Sequence, residues 1–326
     1  MRTNSAQRCG RVSILGVFVV AAVVVGGRVA LAQSPPARAA HGHGLVAKAL
    51  DTSGDHPLTT LQAFDGQVEV AVDADAFDST SAPAGSFTIA GIPSGATIRQ
   101  AWLIASNYCL SCTGVPTVGG SFAGPALPAQ APSATDPGYP LYEWRWDVTA
   151  LVTGNGPYAY SLSMSAGSLC YGVALVVVYE HASLPVSRVV VNDGAEDLQA
   201  VTSTTMLSGF SSSGAGRLIV FTAADDANEN STGERLVFNG ATLLGPDNVF
   251  QGNLGNYASL ITVPVTVRPG PNTVAVTAGE GDEFALHLAV LVAQQGETAV
   301  PLLSPWALVA LAAVLVVLGL LAVRRL

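Results

Sequence analysis

The strongest constraint on the fold is a succession of strand and turn segments that the sequence repeats. Between residues 59 and 296, short apolar or alternating runs are separated by Gly, Pro, Asn and Asp. Four pairs of segments correspond at a nearly constant spacing of roughly 115 residues. The pairs are Gly91 with Gly209, residues 103–104 with 218–219, Asn155 with Asn272, and residues 176–178 with 290–292. Duplication of one structural unit produces such a spacing; chance similarity among glycine-bounded strands is the alternative.

We therefore expect an all-β fold built from two tandem β-sandwich units, residues 59–184 and 185–296. Val, Thr, Ser and Gly are abundant, and no long stretch places apolar residues at helical spacing. Predicted strands of the first unit are residues 68–72, 86–89, 97–106, 144–152, 158–165 and 172–179. Short strands separated by turn residues are typical of a sandwich or a barrel rather than of an α/β fold.

The N-terminal residues have the pattern of a secretory signal peptide. A basic opening precedes an apolar run over residues 12–25 and a small-x-small cleavage site at residues 30–32. We predict a signal peptide over residues 1–32, with a retained N-terminal anchor as the alternative. Residues 33–58, rich in Ala, Gly, Pro and His, are predicted to form a flexible linker.

The C-terminal residues 297–326 have the pattern of a membrane anchor. Residues 306–323 carry no charge, and as a helix they would span roughly 27 Å, close to the hydrocarbon thickness of a bilayer. Arg324 and Arg325 follow the apolar run, where cytoplasmic basic residues are expected. We therefore predict one transmembrane helix that leaves the preceding ectodomain outside the cell.

The approach to this helix resembles a bacterial C-terminal sorting signal of the PEP/IPTL class, whose motif reads I-P-T-L-S-x-W-G. The matching or nearly matching residues are Val300, Pro301, Leu303, Ser304 and Trp306, and Arg324 and Arg325 close the signal. Leu302 and Ala307 depart from the motif. The resemblance implies that an exosortase-like membrane protease cuts nearby and passes the ectodomain to the cell surface or its polysaccharide. An ordinary tail anchor is the alternative.

The charge of the chain limits its partners. The formal net charge is −9, and all 23 acidic residues lie between residues 33 and 299. An ectodomain this acidic lacks the clustered Lys and Arg that binding to nucleic acid or anionic lipid requires. We expect no nucleic-acid partner. The expected partners are the membrane, a sorting protease, and surface polysaccharide or other surface proteins.

A second resemblance covers most of the ectodomain. Short motifs follow one another in the order A-W-L at residues 101–103, W-D-V-T at 146–149, G-V-A-L-V-V-V-Y-E at 172–180 and N-D-G at 192–194. In this order they resemble the extracellular proteins that carry the uncharacterised domain family numbered 3344. The resemblance extends over residues 66–294 and implies a β-rich ectodomain of a prokaryotic surface protein. It leaves the activity open, because the function of the family is unknown.

Three cysteines, Cys109, Cys112 and Cys170, lie in the part predicted to be exported. Cys109 and Cys112 form a C-x-x-C, but no predicted helix follows to activate a thiol, so we expect a structural disulfide rather than a redox centre. We slightly favour a bridge from Cys109 or Cys112 to Cys170 over the local pair, because that bridge would pin the long loop to the sandwich.

Acidic loops supply the oxygen ligands that calcium prefers. The candidate calcium loop contains Asp225, Asp226, Asn228, Glu229 and Asn230, although its spacing is not that of an EF-hand. Solvated turns are the favoured interpretation, and we expect no other cofactor. A further acidic group, Asp193, Glu196 and Asp197, is expected in a turn at the start of the second unit.

Residues that could carry chemistry are sparse. Few histidines lie outside the linker, and no cofactor fingerprint is present, so we predict no catalytic activity. His287 is expected in the core or on a sheet face. Tyr142, Trp144 and Trp146 share one face of a predicted strand. Burial in the core is the favoured interpretation of these rings, and an exposed glycan-binding face is the alternative.

Together these patterns predict an exported, surface-anchored, non-catalytic β-sandwich protein with a structural or adhesive role. Its expected location is the cell envelope or cell surface, with the ectodomain outside. The alternative is a secreted carbohydrate-binding module or hydrolase anchored at the envelope. Exposed tryptophans, or a pair of carboxylates in a cleft, would favour that alternative.

Overall fold

The computed structural model describes residues 56–296, except residues 110, 113, 137–138, 225–231, 256 and 281. The predicted signal peptide, nearly all of the predicted linker, the sorting motif and the apolar tail lie outside the described residues, as does the candidate calcium loop at residues 225–230. Within the described part, no helix has the length and apolar character needed to cross a membrane.

The described residues form strands joined by turns and one short 3-10 turn at Thr149–Leu151, so the expected all-β fold is confirmed. In chain order the strands are β1 (Thr59–Gly66), β2 (Val68–Thr80), β3 (Ala84–Ile89), β4 (Thr97–Tyr108), β5 (Val118–Phe122), β6 (Ala126–Gln130), β7 (Ala134–Asp136), β8 (Leu141–Asp147), β9 (Gly156–Met164), β10 (Leu169–Glu180), β11 (Ser187–Gln199), β12 (Thr202–Phe210), β13 (Gly214–Ala223), β14 (Arg235–Phe238), β15 (Ala241–Leu244), β16 (Ala258–Val267), β17 (Gly270–Thr277) and β18 (Glu283–Gln294).

These strands form four antiparallel sheets. Inner sheet 1 has the order β2-β10-β4-β8-β7, and outer sheet 1 has the order β3-β9-β5-β6. Inner sheet 2 has the order β1-β11-β18-β13-β16, and outer sheet 2 has the order β12-β17-β14-β15. Each inner sheet packs on its own outer sheet to form a sandwich, and the two inner sheets pack on each other.

Three apolar layers separate the four sheets. Phe87, Trp144 and Leu175 belong to the core of the first sandwich. Leu207, Leu218, Phe238 and Leu291 belong to the core of the second. Between the inner sheets lies a third layer, which includes Val70, Ile104, Val176, Val191, Ile219 and Val290. Because this layer is as well buried as the two sandwich cores, the two sandwiches form one packed body.

The burial patterns of the strands follow from this layering. Strands of the outer sheets, such as β9 and β12, alternate buried and exposed residues because only one face is covered. Strands β10 and β18, at the centre of the inner sheets, are buried along almost their entire length. Their continuous apolar sequences are therefore explained by packing on both faces.

Two predicted boundaries are wrong. Strand β1, assigned from its position to the first unit, pairs with β11 in inner sheet 2, where Thr59 lies opposite Asp193 and Gly66 opposite Ser187. The strand predicted over residues 144–152 ends at Asp147. The reason is local: Asp147 Oδ1 accepts a hydrogen bond from the Thr149 backbone N–H at 2.9 Å, which turns the chain out of the sheet.

Candidate functional site

Strand β8 separates aromatic from charged residues by simple alternation. Trp144 and Trp146 point into the core of the first sandwich and are 0% and 3% exposed. Glu143 and Arg145 alternate with the tryptophans along the strand and therefore point to the opposite face, toward inner sheet 2. One strand thus supplies a sandwich core on one side and a polar cluster on the other.

The tryptophans do not form an exposed glycan-binding face. The indole Nε1 of Trp144 donates a hydrogen bond to the Gln130 carbonyl at 3.1 Å, and that of Trp146 donates to the Pro128 carbonyl at 3.2 Å. Tyr142 is partly buried and packs against Trp144, with ring centroids 5.8 Å apart. The favoured interpretation of buried rings agrees with this placement, and the alternative of a stacking platform does not.

The polar cluster joins the two sandwiches. Glu143 and Arg145 come from inner sheet 1, whereas Asp193 on β11 and His287 on β18 come from inner sheet 2. Arg145 forms an ion pair with Asp193 and its Nη1 lies 4.0 Å from Glu143 Oε1. His287 Nδ1 donates to the Gly194 carbonyl at 3.0 Å and lies 3.4 Å from Glu143 Oε2. We call these four side chains the inter-sandwich cluster.

Burial dominates the protonation of the inter-sandwich cluster. Glu143 is 0% exposed, and burial followed by the Asp193 charge raises the pKa of its carboxyl well above the usual range, which Arg145 offsets only in part. Burial also raises the pKa of Asp193, against the opposing effect of Arg145. Burial lowers the pKa of His287 to about 4. Burial therefore favours the protonated form of Glu143 and the neutral form of His287.

A chain of hydrogen bonds ties β1 to this region. Thr60 Oγ1 donates to Asn192 Oδ1 at 2.9 Å, and Asn192 Nδ2 donates to Thr205 Oγ1 at 2.7 Å. Thr205 Oγ1 donates in turn to the Leu58 carbonyl at 2.6 Å. The Asn192-Asp193-Gly194 motif thus links β1, both sheets of the second sandwich and, through Asp193, the first sandwich.

A cleft of about 600 Å³ opens above the cluster. The side chains of Arg145 and Asp193 reach its wall, together with His56, Thr60, Ser133 and Thr135. Glu143 and His287 do not line it, because both are completely buried. The cleft therefore exposes one ion pair and several hydroxyl groups, while the unusual carboxyl and imidazole lie beneath its surface.

The acidic residues expected in a turn at the start of the second unit lie in a strand instead. Glu196 and Asp197 belong to β11, are both 0% exposed, and follow an irregularity in the pairing of β11 with β18. The backbone N–H of Asp197 donates to Asp136 Oδ2 at 3.0 Å, and Tyr108 Oη donates to Asp197 Oδ1 at 3.5 Å. The prediction was wrong because packing between the inner sheets keeps the chain extended.

Tyrosine rings surround these acids. The ring of Tyr108 contacts those of Tyr139 and Tyr171 edge-on, with centroids 5.2 and 5.5 Å apart, and Tyr171 contacts Tyr257 at 5.8 Å. Burial raises the pKa of Tyr108 well above its usual range and that of Tyr171 to about 12. These phenols therefore stay protonated and can donate to the neighbouring carboxylates.

The cysteines pair locally. Cys109 and Cys112 form a disulfide with Cα atoms 5.5 Å apart, so the slightly favoured bridge to Cys170 is wrong. Cys170 points into the core of the first sandwich, 0% exposed, where burial raises the pKa of its thiol. Cys170 is a free thiol on β10.

The described residues contain no group of three or more His, Cys, Asp or Glu side chains arranged to hold a metal ion. The calcium site at Asp225, Asp226, Asn228, Glu229 and Asn230 stays a prediction, because these residues lie outside the described part.

The inter-sandwich cluster is suited to holding two sheets together. Glycoside hydrolysis places two carboxyl groups at least about 5 Å apart, on either side of the sugar. Glu143 and Asp193 instead hydrogen-bond directly to each other, which leaves no room for a sugar between them. Burial and the Asp193 charge favour the protonated form of Glu143, and Arg145 pairs with the Asp193 carboxylate.

Glu143 and Arg145 are not among the site residues that the sequence predicts, although the sequence contains a signal for them. In Tyr142-Glu143-Trp144-Arg145-Trp146 the aromatic residues share one face, so two charged residues must occupy the other. If the rings are core, the charges of this strand face either solvent or a second packed layer. His287 was expected in the core or on a face, and its burial confirms the expectation.

These features define the chain as an all-β protein of two antiparallel sandwiches that share a buried polar and apolar layer. The chain belongs to the family of proteins of unknown function called DUF3344, whose profile matches residues 52–294. The resemblance seen in the order of short motifs is thereby confirmed. No curated protein matches the chain.

Several solved structures have partial likenesses to this fold. A β-porphyranase of glycoside hydrolase family 86 from the human gut bacterium Bacteroides plebeius is 13% identical, with 74% of this chain and 37% of that chain covered and a TM-score of 0.25. PNGF-II is 10% identical, with coverages of 67% and 60% and a TM-score of 0.25. The major capsid protein P2 of bacteriophage PM2 is 9% identical, with coverages of 71% and 99% and a TM-score of 0.20. Such distant likenesses carry no inference about activity.

Proposed function

We propose that this protein is an exported, surface-anchored and non-catalytic β-sandwich protein with a structural or adhesive role. The observation that carries the proposal is the burial of the titratable residues in the inter-sandwich cluster. Glu143 and His287 are completely buried between two packed sheets, where they join the sandwiches and do not meet solvent. The result is a rigid body whose outer surfaces are sheet faces and loops.

Export and anchoring are supported by the two ends of the sequence. Residues 1–32 have the features of a signal peptide, and residues 306–323 those of a single transmembrane helix after a sorting motif. Strand β18 ends at Gln294, beside Ser187, at the end of inner sheet 2 opposite Ala223. The proposed anchor follows this end of the described part in sequence.

We also propose that the two sandwiches arose by duplication. The order β2-β10-β4-β8 in inner sheet 1 matches the order β11-β18-β13-β16 in inner sheet 2. The order β3-β9-β5-β6 likewise matches β12-β17-β14-β15. The corresponding glycines Gly91 and Gly209 both adopt positive φ, at 84° and 89°. Strands β1 and β7 have no counterpart in these alignments and are additions at sheet edges.

Export and anchoring are tested together by topology and mass. A periplasmically active reporter fused after Gln294, ahead of the apolar tail, is expected to be active outside the cytoplasm, and deletion of residues 1–32 is the matched control that keeps it inside. The intact mass of protein from the envelope is expected to lack residues 1–32 and the residues after about Ser304. Reporter activity confined to the cytosol would refute the proposal.

A second candidate function is carbohydrate binding or hydrolysis at the cleft. It is favoured by one observation, the Arg145–Asp193 pair in the wall of a cleft with a second carboxyl beneath it. The burial of Trp144 and Trp146 counts against it. Incubation of the full chain with a panel of surface polysaccharides separates the candidates: saturable binding or turnover that Asp193→Asn abolishes, with the melting temperature kept, would establish this function.

A further inference from the structure

The outer sheets are almost free of charge, although the chain is acidic. No strand of outer sheet 1 contains a charged residue. In outer sheet 2, Arg235 is the sole charged residue of the four strands. The chain as a whole has 23 acidic residues and a net charge of −9. Apart from Arg235, the charged residues of the described part therefore lie outside the outer-sheet strands, either in the loops or on strands of the inner sheets, as Asp73 and Asp75 do on β2.

Most solvent-facing residues of β3, β9, β12 and β17 are small. In outer sheet 1, Ser86 lies opposite Ala159, and Ser161 lies opposite both Ala84 and Ser121. In outer sheet 2, Thr202 lies opposite Thr277 and Thr204 opposite Ala275. Short uncharged side chains let another surface approach closely over several strands without leaving a charge buried and unpaired.

One large apolar side chain interrupts this pattern. Met206 on β12, an edge strand of outer sheet 2, is 60% exposed and lies opposite Thr273. Outer sheet 1 carries no exposed large apolar residue, and its central positions are Ala159, Ser161 and Gly119. A flexible thioether projecting from one face fits a shallow surface of small residues on the other.

We propose that outer sheet 2 of one copy docks onto outer sheet 1 of a second copy of this chain. The distribution of charge is the argument for a second copy of the chain. Two acidic copies repel each other where their charged loops meet. The outer sheets are nearly uncharged, so two copies can meet there without burying like charges. The two faces lie on opposite sides of the four-layered body, so this contact is head-to-tail and continues from copy to copy without closing.

The size of the faces sets the strength of the contact. Four strands spaced about 4.8 Å apart, with about six residues each, present roughly 400 Å². Stable interfaces bury about 800 Å² per partner. The contact is therefore weak between free copies and becomes effective when copies are concentrated on one surface. The inference therefore rests on the proposed surface role, and it adds that anchored copies assemble side by side on that surface.

Cysteine cross-linking tests the arrangement in the full chain. Met206→Cys and Ser161→Cys are made in separately tagged copies that are co-expressed, and isolated envelopes are oxidised. Mixed envelopes are expected to give heterodimers that neither variant gives alone, and a chain with both substitutions is expected to give a ladder. Ala182→Cys, an exposed position in the turn after β10, replaces either partner as the control.

A charge placed on the face provides an independent check. Ala159→Glu in the Ser161→Cys copy is expected to reduce heterodimers by about tenfold or more, because docking would bury an unpaired carboxylate. Ala182→Glu is expected to change nothing. Equal melting temperatures of the two glutamate variants show that both chains fold.

Three results would overturn the proposal: heterodimers no more frequent than with Ala182→Cys, homodimers of single variants without heterodimers, or retention of the chain on a neutral polysaccharide through these faces without cross-links. The same pairs are oxidised after reconstitution of the full chain in lipid vesicles. A protein that fails to be exported but cross-links in vesicles refutes the proposed location and supports the assembly. An exported, anchored protein that gives no heterodimers supports the proposed location and refutes the assembly.

Discussion

The shared layer between the two sandwiches makes a quantitative prediction at Gly172. This glycine lies on β10 and faces inner sheet 2. A Cβ at this position would lie 2.9 Å from Phe221 Cζ, 3.1 Å from Ala223 Cβ and 3.3 Å from Ala258 Cβ. Phe221 is 0% exposed, so its ring has no free volume to move into. Gly172→Ala therefore forces the inner sheets apart.

The magnitude follows from two opposing contributions. Overpacking a close-packed core costs about 1–3 kcal/mol. Replacing glycine by alanine recovers about 0.4–1 kcal/mol by restricting the unfolded chain. We expect Gly172→Ala to lower the free energy of unfolding by about 1–2 kcal/mol. Gly214→Ala, where the nearest atom is the Gln294 carbonyl oxygen at 3.3 Å, is the matched control and is expected to change it by about 0.5 kcal/mol or less.

A compensating substitution tests the stated cause. Phe221→Leu removes the ring tip that the new methyl group would meet, at a cost of about 1–2 kcal/mol on its own. In the double variant the two losses are expected to fall short of their sum by about 1 kcal/mol. Independent, additive losses would show that the methyl group and the ring do not meet.

The assay also reports whether the sandwiches unfold together. Of the four tryptophans in the sequence, Trp102, Trp144 and Trp146 lie on strands of the first sandwich, so in a Trp306→Phe background tryptophan fluorescence follows the unfolding of that sandwich in urea, whereas far-UV circular dichroism follows both sandwiches. The wild-type transitions are expected to coincide, and those of Gly172→Ala to separate. Separate transitions in the wild type, together with an unchanged midpoint in Gly172→Ala, would refute packing through this layer.

Three further predictions concern buried groups. Because the pKa of Glu143 is raised in the folded chain, stability should fall as the pH rises from the ordinary glutamate pKa toward the raised pKa, with a slope of at most about 1.4 kcal/mol per pH unit. His287, with its lowered pKa, acts in the opposite direction below about pH 6.5 in both chains, so the wild type is compared with Glu143→Gln: the difference between their urea midpoints should depend on pH, and a pH-independent difference would contradict the assignment. Trp144→Ala should destabilise the chain by about 3–5 kcal/mol in urea unfolding, and a loss below about 1 kcal/mol would place the ring outside the core. The thiol of Cys170 should resist maleimide in the folded chain and react after unfolding, as followed by mass; labelling of the native chain would show that it is accessible.

Much of the fold could be predicted because each sandwich obeys local rules. The alternation in β9 and the unbroken apolar run of β10 follow from packing on one face or on two. The motif order was enough to identify the family. The position of Trp144 and Trp146 in the core also follows from alternation within an apolar strand.

The remaining features depend on contacts that are distant in sequence. Glu143 and His287 are 144 residues apart, and nothing near either one indicates that they meet. Strand β1 was assigned to its sequence neighbours, but its pairing is decided by the free edge of β11. The sequence predicts a turn at Glu196 and Asp197 because acidic side chains favour solvent. In the structure both residues are instead buried in β11, after its irregular pairing with β18.

The position of β1 has a consequence for the order in which this polypeptide can mature. Thr59–Gly66 leads the folded part of the chain, yet its partner strand begins only at Ser187, after the whole first sandwich. During synthesis from the N-terminus, this segment therefore has no partner strand until β11 has been made. Once β11 has formed, β1 can pair with it. A product truncated before β11 therefore leaves β1 without its partner strand.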